Sequence, residues 1–98
     1  MVKSKEEILS ILKMLKSEIN SKYKVKIIGL FGYYANNMQK GTSDIDLLVE
    51  FEEDADFLHL IGLLLFLEGC FDKNVDIVSK FAIKEELRDH ILQEVIYA

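Results

Sequence analysis

The segments Gly29–Ala35 (GLFGYYA) and Thr42–Phe51 (TSDIDLLVEF) decide the fold, because an apolar strand runs into a glycine turn and two aspartates then open a second apolar strand. Side chains alternate along a strand, so Asp44 and Asp46 are expected to point from one face, with Cα atoms ~7 Å apart. Carboxylates this close repel each other, and a hard divalent cation such as Mg²⁺ relieves that repulsion. Backbone N–H groups at the Gly32 turn are suited to receive a phosphate. The two segments together predict a metal and nucleotide site.

The remaining apolar pattern predicts helices and strands in alternation. Helical spacing marks a first helix after the Ser4 cap and a last helix along Ile83, Leu87, Ile91 and Val95. An apolar helix is expected from about Ala55 to Glu68, with Gly69 as its end signal, and a short one after Gly32. Apolar runs predict three strands, at Val25–Phe31, from Asp44 to about Phe51, and at Val75–Ser79. The predicted order is α-β-α-β-α-β-α, an α/β (α+β) fold with a small mixed β-sheet and flanking helices.

Composition limits what the chain can do. Ninety-eight residues, half of them apolar, are enough for one domain, so residues 1–98 are expected to form a single domain. A net charge of −5 disfavours sequence-independent nucleic-acid binding, which depends on Lys and Arg neutralising phosphates. The single cysteine, Cys70, has apolar neighbours and predicts a buried thiol in a reducing compartment. The apolar segment 61–67 is too short to cross a bilayer and no signal segment opens the chain, so a cytoplasmic protein without membrane contact is expected.

The acidic positions carry a family resemblance. Gly32-Tyr33, the Asp44/Asp46 pair and Asp76 within Asn74–Val78 resemble the signature of the nucleotidyltransferase superfamily, which is glycine-serine, an Asp-x-Asp pair and a third carboxylate on a later strand. The short chain, the run 43–49 and the ending 91–98 look like the minimal nucleotidyltransferases that are antitoxin partners of HEPN toxins. The resemblance covers the chain from about residue 25 to the C-terminus, and it implies the nucleotidyltransferase fold.

The same resemblance implies a chemistry and its residues. Asp44, Asp46 and Asp76 would be catalytic and would bind two Mg²⁺ ions, with Asp76 also helping to deprotonate the attacking hydroxyl. Gly32, Tyr33 and Ser43 would contact the nucleotide triphosphate. The implied reaction is transfer of AMP from ATP to a hydroxyl of the HEPN toxin, and a homo-oligomer is left open.

Two departures from the family pattern indicate an alternative function. Tyr33 stands where the family has serine, and Asn36 and Asn37 stand where a small-basic-glycine run usually follows. The alternative is therefore a catalytically degenerate nucleotidyltransferase fold that neutralises a HEPN toxin by complex formation. A nucleotide-binding regulator without a toxin partner ranks lower, since the chain shows no effector segment. An aspartyl-nucleophile phosphatase is disfavoured, because its Asp-x-Asp pair follows an apolar strand, whereas here the apolar run comes after Asp46.

Overall fold

Five α-helices, four β-strands and a 3₁₀ turn are present in the computed structural model, which describes residues 4–98. The helices are α1 (Lys5–Met14), α2 (Lys16–Tyr23), α3 (Gly32–Ala35), α4 (Phe57–Phe71) and α5 (Glu85–Glu94). The strands are β1 (Val25–Phe31), β2 (Ile45–Phe51), β3 (Val75–Ser79) and β4 (Ile96–Tyr97), and the 3₁₀ turn is Lys80–Ala82. No helix among residues 4–98 is long and apolar enough to span a membrane.

The strands form one mixed sheet in the order β3-β2-β1-β4. β1 pairs antiparallel with β2 and with β4, while β2 and β3 run parallel. A parallel pair needs a crossover connection, and α4 supplies it between β2 and β3. The predicted α/β fold with a small mixed sheet is therefore confirmed. β1 and β3 have the predicted bounds, whereas β2 begins at Ile45, one residue after the predicted start at Asp44.

Local capping explains where two helices begin. The Ser4 hydroxyl accepts a hydrogen bond from the Glu7 amide at 3.2 Å at the start of α1. Asp56 and His59 form a reciprocal capping box at the start of α4, each side chain accepting the other's backbone N–H. These bonds satisfy amides that have no partner inside the helix.

The main hydrophobic core lies between one face of the sheet and helices α1, α2 and α4. Because Leu47 of β2 is fully buried in this core, its neighbours Asp46 and Leu48 point to the opposite face. Leu48 is itself only 2% exposed, so this second face is also partly covered. The fully buried residues of the core include Ile8, Leu12, Ile19, Leu30, Ile45, Leu47, Val49, Leu63, Leu67 and Phe71.

Three predictions differ from the structure. α4 does not end at Gly69 but continues to the fully buried Phe71, and Asp72 in the left-handed conformation ends it. The first helix is divided at Leu15 into α1 and α2. The last helix ends at Glu94, and the chain then forms the unpredicted strand β4, too short to show an alternating pattern.

Cys70 is exposed, so the prediction of a buried thiol is wrong. The residue lies on the outward side of α4, next to the exposed Gly69. Partial burial, and secondarily the charge of Glu18, still raise the pKa of the thiol, which disfavours the nucleophilic thiolate.

Candidate active site

Two of the predicted aspartates lie side by side on neighbouring strands. Asp46 of β2 and Asp76 of β3 are register partners in the parallel ladder, so both side chains project from the sheet face opposite the main core. Asp44 directly precedes β2 and lines the same cleft as Asp46. The structure thus brings together the three carboxylates that the sequence singled out.

The pKa of Asp46 reflects the closeness of the other acidic side chains. Burial, followed by the charges of Asp76, Asp44 and Glu94 in that order, raises the pKa of its carboxyl from 3.8 to about 6. Desolvation and like charges both disfavour the ionised form of a carboxyl group. Asp46 is therefore the carboxyl on which the charges of the three neighbouring acidic residues act.

The turn at Gly32 touches Asp46 directly. Gly32 has φ +79°, in the left-handed region that favours glycine, and it follows Phe31, the register partner of Asp46. A Cβ at this position would lie 2.2 Å from the Asp46 Oδ2 atom. A glycine is thus required here both for the backbone conformation and for the close approach of the carboxylate.

An open cleft of about 530 Å³ lies beside the aspartates. The side chain of Tyr33 is 60% exposed on its wall, whereas that of the next residue, Tyr34, is 2% exposed. The short helix α3 thus places one tyrosine in the core and the other in the cleft. The cleft is lined by Tyr33, Met38, Lys40, Thr42, Ser43, Asp44 and Asp46.

The loop before Asp44 is shaped by Ser43. Its hydroxyl accepts a hydrogen bond from the Lys40 amide at 2.8 Å, and its own amide donates to the Lys40 carbonyl at 2.9 Å. Lys73 donates to the Gly41 carbonyl at 2.9 Å from the β3 side. Ser43 therefore lies on the cleft wall with its hydroxyl already engaged in the turn, and its contact with a nucleotide stays a prediction.

Glu94 belongs to the site, and sequence reasoning missed it. Its Oε1 accepts from the Gly32 amide at 3.2 Å and its Oε2 accepts from the Asn36 side-chain amide at 3.1 Å. His90, one turn earlier in α5, has its Nε2 3.6 Å from Oε2. Nothing near Glu94 in the sequence indicated this role, because a glutamate in a last helical turn is usually solvated.

The donor chemistry at this end of the sheet fits a divalent cation. Within residues 4–98 no three or more His, Cys, Asp or Glu side chains are arranged to hold a metal ion by themselves. Mg²⁺ usually keeps several waters and binds through one or two carboxylates together with substrate phosphates, so it needs no complete protein cage. Asp44 and Asp46 beside the cleft, with Asp76 on the neighbouring strand, are suited to that mode.

A family model and the sequences of known proteins both identify nucleotidyltransferases as relatives of this chain. The family model described as polymerase beta, nucleotidyltransferase matches residues 13–98. The protein adenylyltransferase MntA of Thermococcus cleftensis is 40% identical over 92 residues, which are 94% of this chain and 93% of that protein.

Solved structures agree with the sequence comparison. A chain provisionally assigned as a minimal nucleotidyltransferase superposes with a TM-score of 0.75 at 33% identity, covering 90% of this chain and 93% of the other. A chain of the crystal structure of a toxin–antitoxin with AMP-PNP gives a TM-score of 0.69 at 28% identity, covering 89% of this chain and 68% of the other. The fold of this chain is thus shared with these two structures.

Proposed function

Because the chain belongs to the polymerase beta nucleotidyltransferase family, we propose that it transfers AMP from ATP to a hydroxyl of a HEPN-family toxin and thereby acts as an antitoxin. The observation that carries the proposal is the shared register of Asp46 and Asp76 beside the cleft that Asp44 lines. The name of the Thermococcus relative supports AMP transfer to a protein. The toxin–antitoxin with AMP-PNP supports the class of partner and of nucleotide.

The carboxylates have separate roles in this proposal. Asp44 and Asp46 would hold the Mg²⁺ that carries the triphosphate and would share a second ion, which Asp76 would complete. The ions, when bound, neutralise the phosphate charge and lower the pKa of the attacking hydroxyl. Asp76 is exposed at its strand position, where it can accept the proton of an incoming hydroxyl.

The reaction is a substitution at the α-phosphorus of ATP. The deprotonated toxin oxygen forms a bond to the α-phosphorus, the bond to the bridging oxygen breaks, and pyrophosphate leaves with the electron pair. The proton passes to Asp76 and then to solvent. Most of the acceleration comes from holding the oxygen, the phosphorus and the leaving group in line.

The nucleotide contacts are assigned to the cleft wall. Gly32 lets the phosphates approach the backbone of the turn, and Tyr33 and Ser43 border the same space. The acceptor hydroxyl comes from the partner protein, and the net charge of −5 favours a partner with a basic face.

A second candidate is an antitoxin that neutralises the toxin by forming a complex without catalysis. The specific observation in its favour is Tyr33, whose exposed ring occupies the cleft wall where the family has a small serine. Because a rigid ring separates the tyrosine hydroxyl from the backbone, this oxygen lies several ångströms farther out than a serine hydroxyl would.

Incubation of the protein with its cognate toxin, ATP and Mg²⁺ tests both candidates. We expect mass increments of one or more AMP units on the toxin, which Asp44→Ala, Asp46→Ala and Asp76→Ala eliminate. Glu53→Ala, a change of the same charge at an exposed turn outside the cleft, should leave them unchanged. An unmodified toxin that the parent and the aspartate variants inhibit equally well would contradict the transferase and favour complex formation.

A further inference from the structure

Glu94 and Asn36 close a ring of hydrogen bonds around the Gly32 turn. One Glu94 oxygen accepts from the Gly32 amide at 3.2 Å, and the other accepts from the Asn36 side chain at 3.1 Å. The same Asn36 Nδ2 also donates to the Gly32 carbonyl at 3.0 Å. Both backbone polar groups of Gly32 are thus held by a two-residue clamp, consisting of Glu94 from α5 and Asn36 from the end of α3.

This clamp acts on the residue that touches Asp46. Because the Gly32 Cα leaves no room for a Cβ beside the Asp46 carboxylate, a small shift of the turn changes the space available to that carboxylate. The closeness of Gly32 to Asp46 therefore depends on where Glu94 and Asn36 hold the turn.

We propose that Glu94 and Asn36 are positioning residues that hold the Gly32 turn against the Asp46 carboxylate, and so orient Asp46 for nucleotidyl transfer. The link to transfer rests on the proposed function. The proposal also gives a role to Asn36, which departs from the usual family pattern: its short amide reaches both the turn carbonyl and the Glu94 carboxylate.

The charge of Glu94 argues against a role in packing alone. Its carboxylate adds a further negative charge that acts on Asp46, and an apolar side chain could join α5 to α3 without that repulsion. A charged acceptor, however, makes shorter and stronger hydrogen bonds to N–H groups than a neutral one. The side chain is 19% exposed, so these bonds are partly shielded from water.

Hydrogen exchange of the Gly32 amide tests the clamp without any enzyme assay. We expect Glu94→Ala to accelerate exchange of this amide about tenfold or more, because a hydrogen bond to a charged acceptor is lost. Glu94→Gln keeps one oxygen acceptor and should restore part of the protection. Gln93→Ala, at the exposed neighbouring position, should leave the amide unchanged. Equal Gly32 exchange in the parent and in Glu94→Ala would overturn the proposal.

Asn36→Ala provides a second test, because it changes no charge and the side chain is exposed. We expect about tenfold weaker Mn²⁺ binding by calorimetry, as is typical when a group that orients a ligand is lost. In the transfer assay kcat should fall about tenfold or more, with a smaller change in KM for ATP, since Asp46 is misplaced. Unchanged Mn²⁺ binding and kcat would overturn the proposal.

A parent protein that transfers no AMP would overturn only the proposed function. Gly32 exchange and Mn²⁺ affinity would still decide whether the clamp positions Asp46.

Discussion

Asp46 and Asp76 occupy matching positions on two parallel strands, but Asp46 is half-buried whereas Asp76 is exposed. Asp46 lies against the Gly32 turn, whereas Asp76 lies at the edge of the sheet and faces solvent. The same pair therefore offers one carboxylate in a restricted position and one that an external group can approach. This difference leads to separate expectations for the stability, cation binding and nucleotide binding of the protein.

Asp46→Asn should stabilise the protein at neutral pH. The pKa of Asp46 is about 6 in the folded state against an ordinary 3.8, so the folded state binds this proton more tightly than the unfolded state does. Its contribution to stability therefore falls as the pH rises from about 4 to about 6. The variant should gain about 1 kcal/mol above pH 6, after allowing for solvent screening of a half-exposed group. Urea unfolding from pH 4 to 7 measures the difference, and a gain that does not vary with pH would contradict the stated cause.

Divalent cations should raise the melting temperature of the parent. A cation that binds only the folded state at ~100 times its Kd adds ~2.7 kcal/mol. Asp46→Asn should abolish the shift with Mg²⁺ or Mn²⁺, while Glu53→Gln, at an exposed turn, should retain it. A parent whose thermal scan is insensitive to both cations, with and without ATP, would count against the site.

Gly32→Ala should destabilise the protein and disturb the site together. An alanine with this left-handed φ costs ~1–2 kcal/mol, and its Cβ would also push the Asp46 carboxylate aside. Gly69→Ala is the matched control, because no atom lies within 4 Å of the added Cβ and the position is helical. That control should gain ~0.5–1 kcal/mol and keep its response to Mg²⁺. Denaturant unfolding with and without Mg²⁺ distinguishes the two variants, and equal behaviour would disprove the close contact.

Tyr33→Ser should bind ATP more tightly. The change removes a ring that is 60% exposed on the cleft wall and restores a short hydroxyl near the turn. The gain should not exceed one hydrogen bond to a charged group, ~1.5–3 kcal/mol. Calorimetry with Mg²⁺ and ATP measures it. Tighter binding by the parent would show that the tyrosine ring takes part in recognition.

The strands could be predicted because their signals are local. Alternation in Ile45–Phe51 places Asp46 on one face by geometry alone, and a third apolar run places Asp76 on a strand. The expectation that Asp76 lies close to Asp46 came from the family resemblance, since an apolar run does not show which strand is its neighbour. The end of α4 was not predictable in this way. Gly69 is an unfavourable helical residue by ~1 kcal/mol, but burial of Phe71 outweighs that preference.

Glu94 shows a different limit of sequence reasoning. It is separated from Gly32 by 62 positions, and the two meet only because α5 packs against α3. Leu87 illustrates the same point. Helical spacing predicted that it lies on a buried face of α5, but the residue is half exposed. Contacts of this kind depend on tertiary packing and leave no periodic signal in the chain.

Gly29 affects the position of Glu94 because it has no side chain. It lies in β1, and a Cβ there would be 2.6 Å from Cγ2 of Val95, the residue after Glu94. Valine has little rotameric freedom with which to move away, so a larger residue at position 29 would shift the segment that carries Glu94. A mutational scan scored only for lost activity would therefore mark Gly29 as essential. Gly29 would be needed only because it leaves space for the Val95 side chain. A second change that shortens this side chain, Val95→Ala or Val95→Gly, is therefore expected to restore activity.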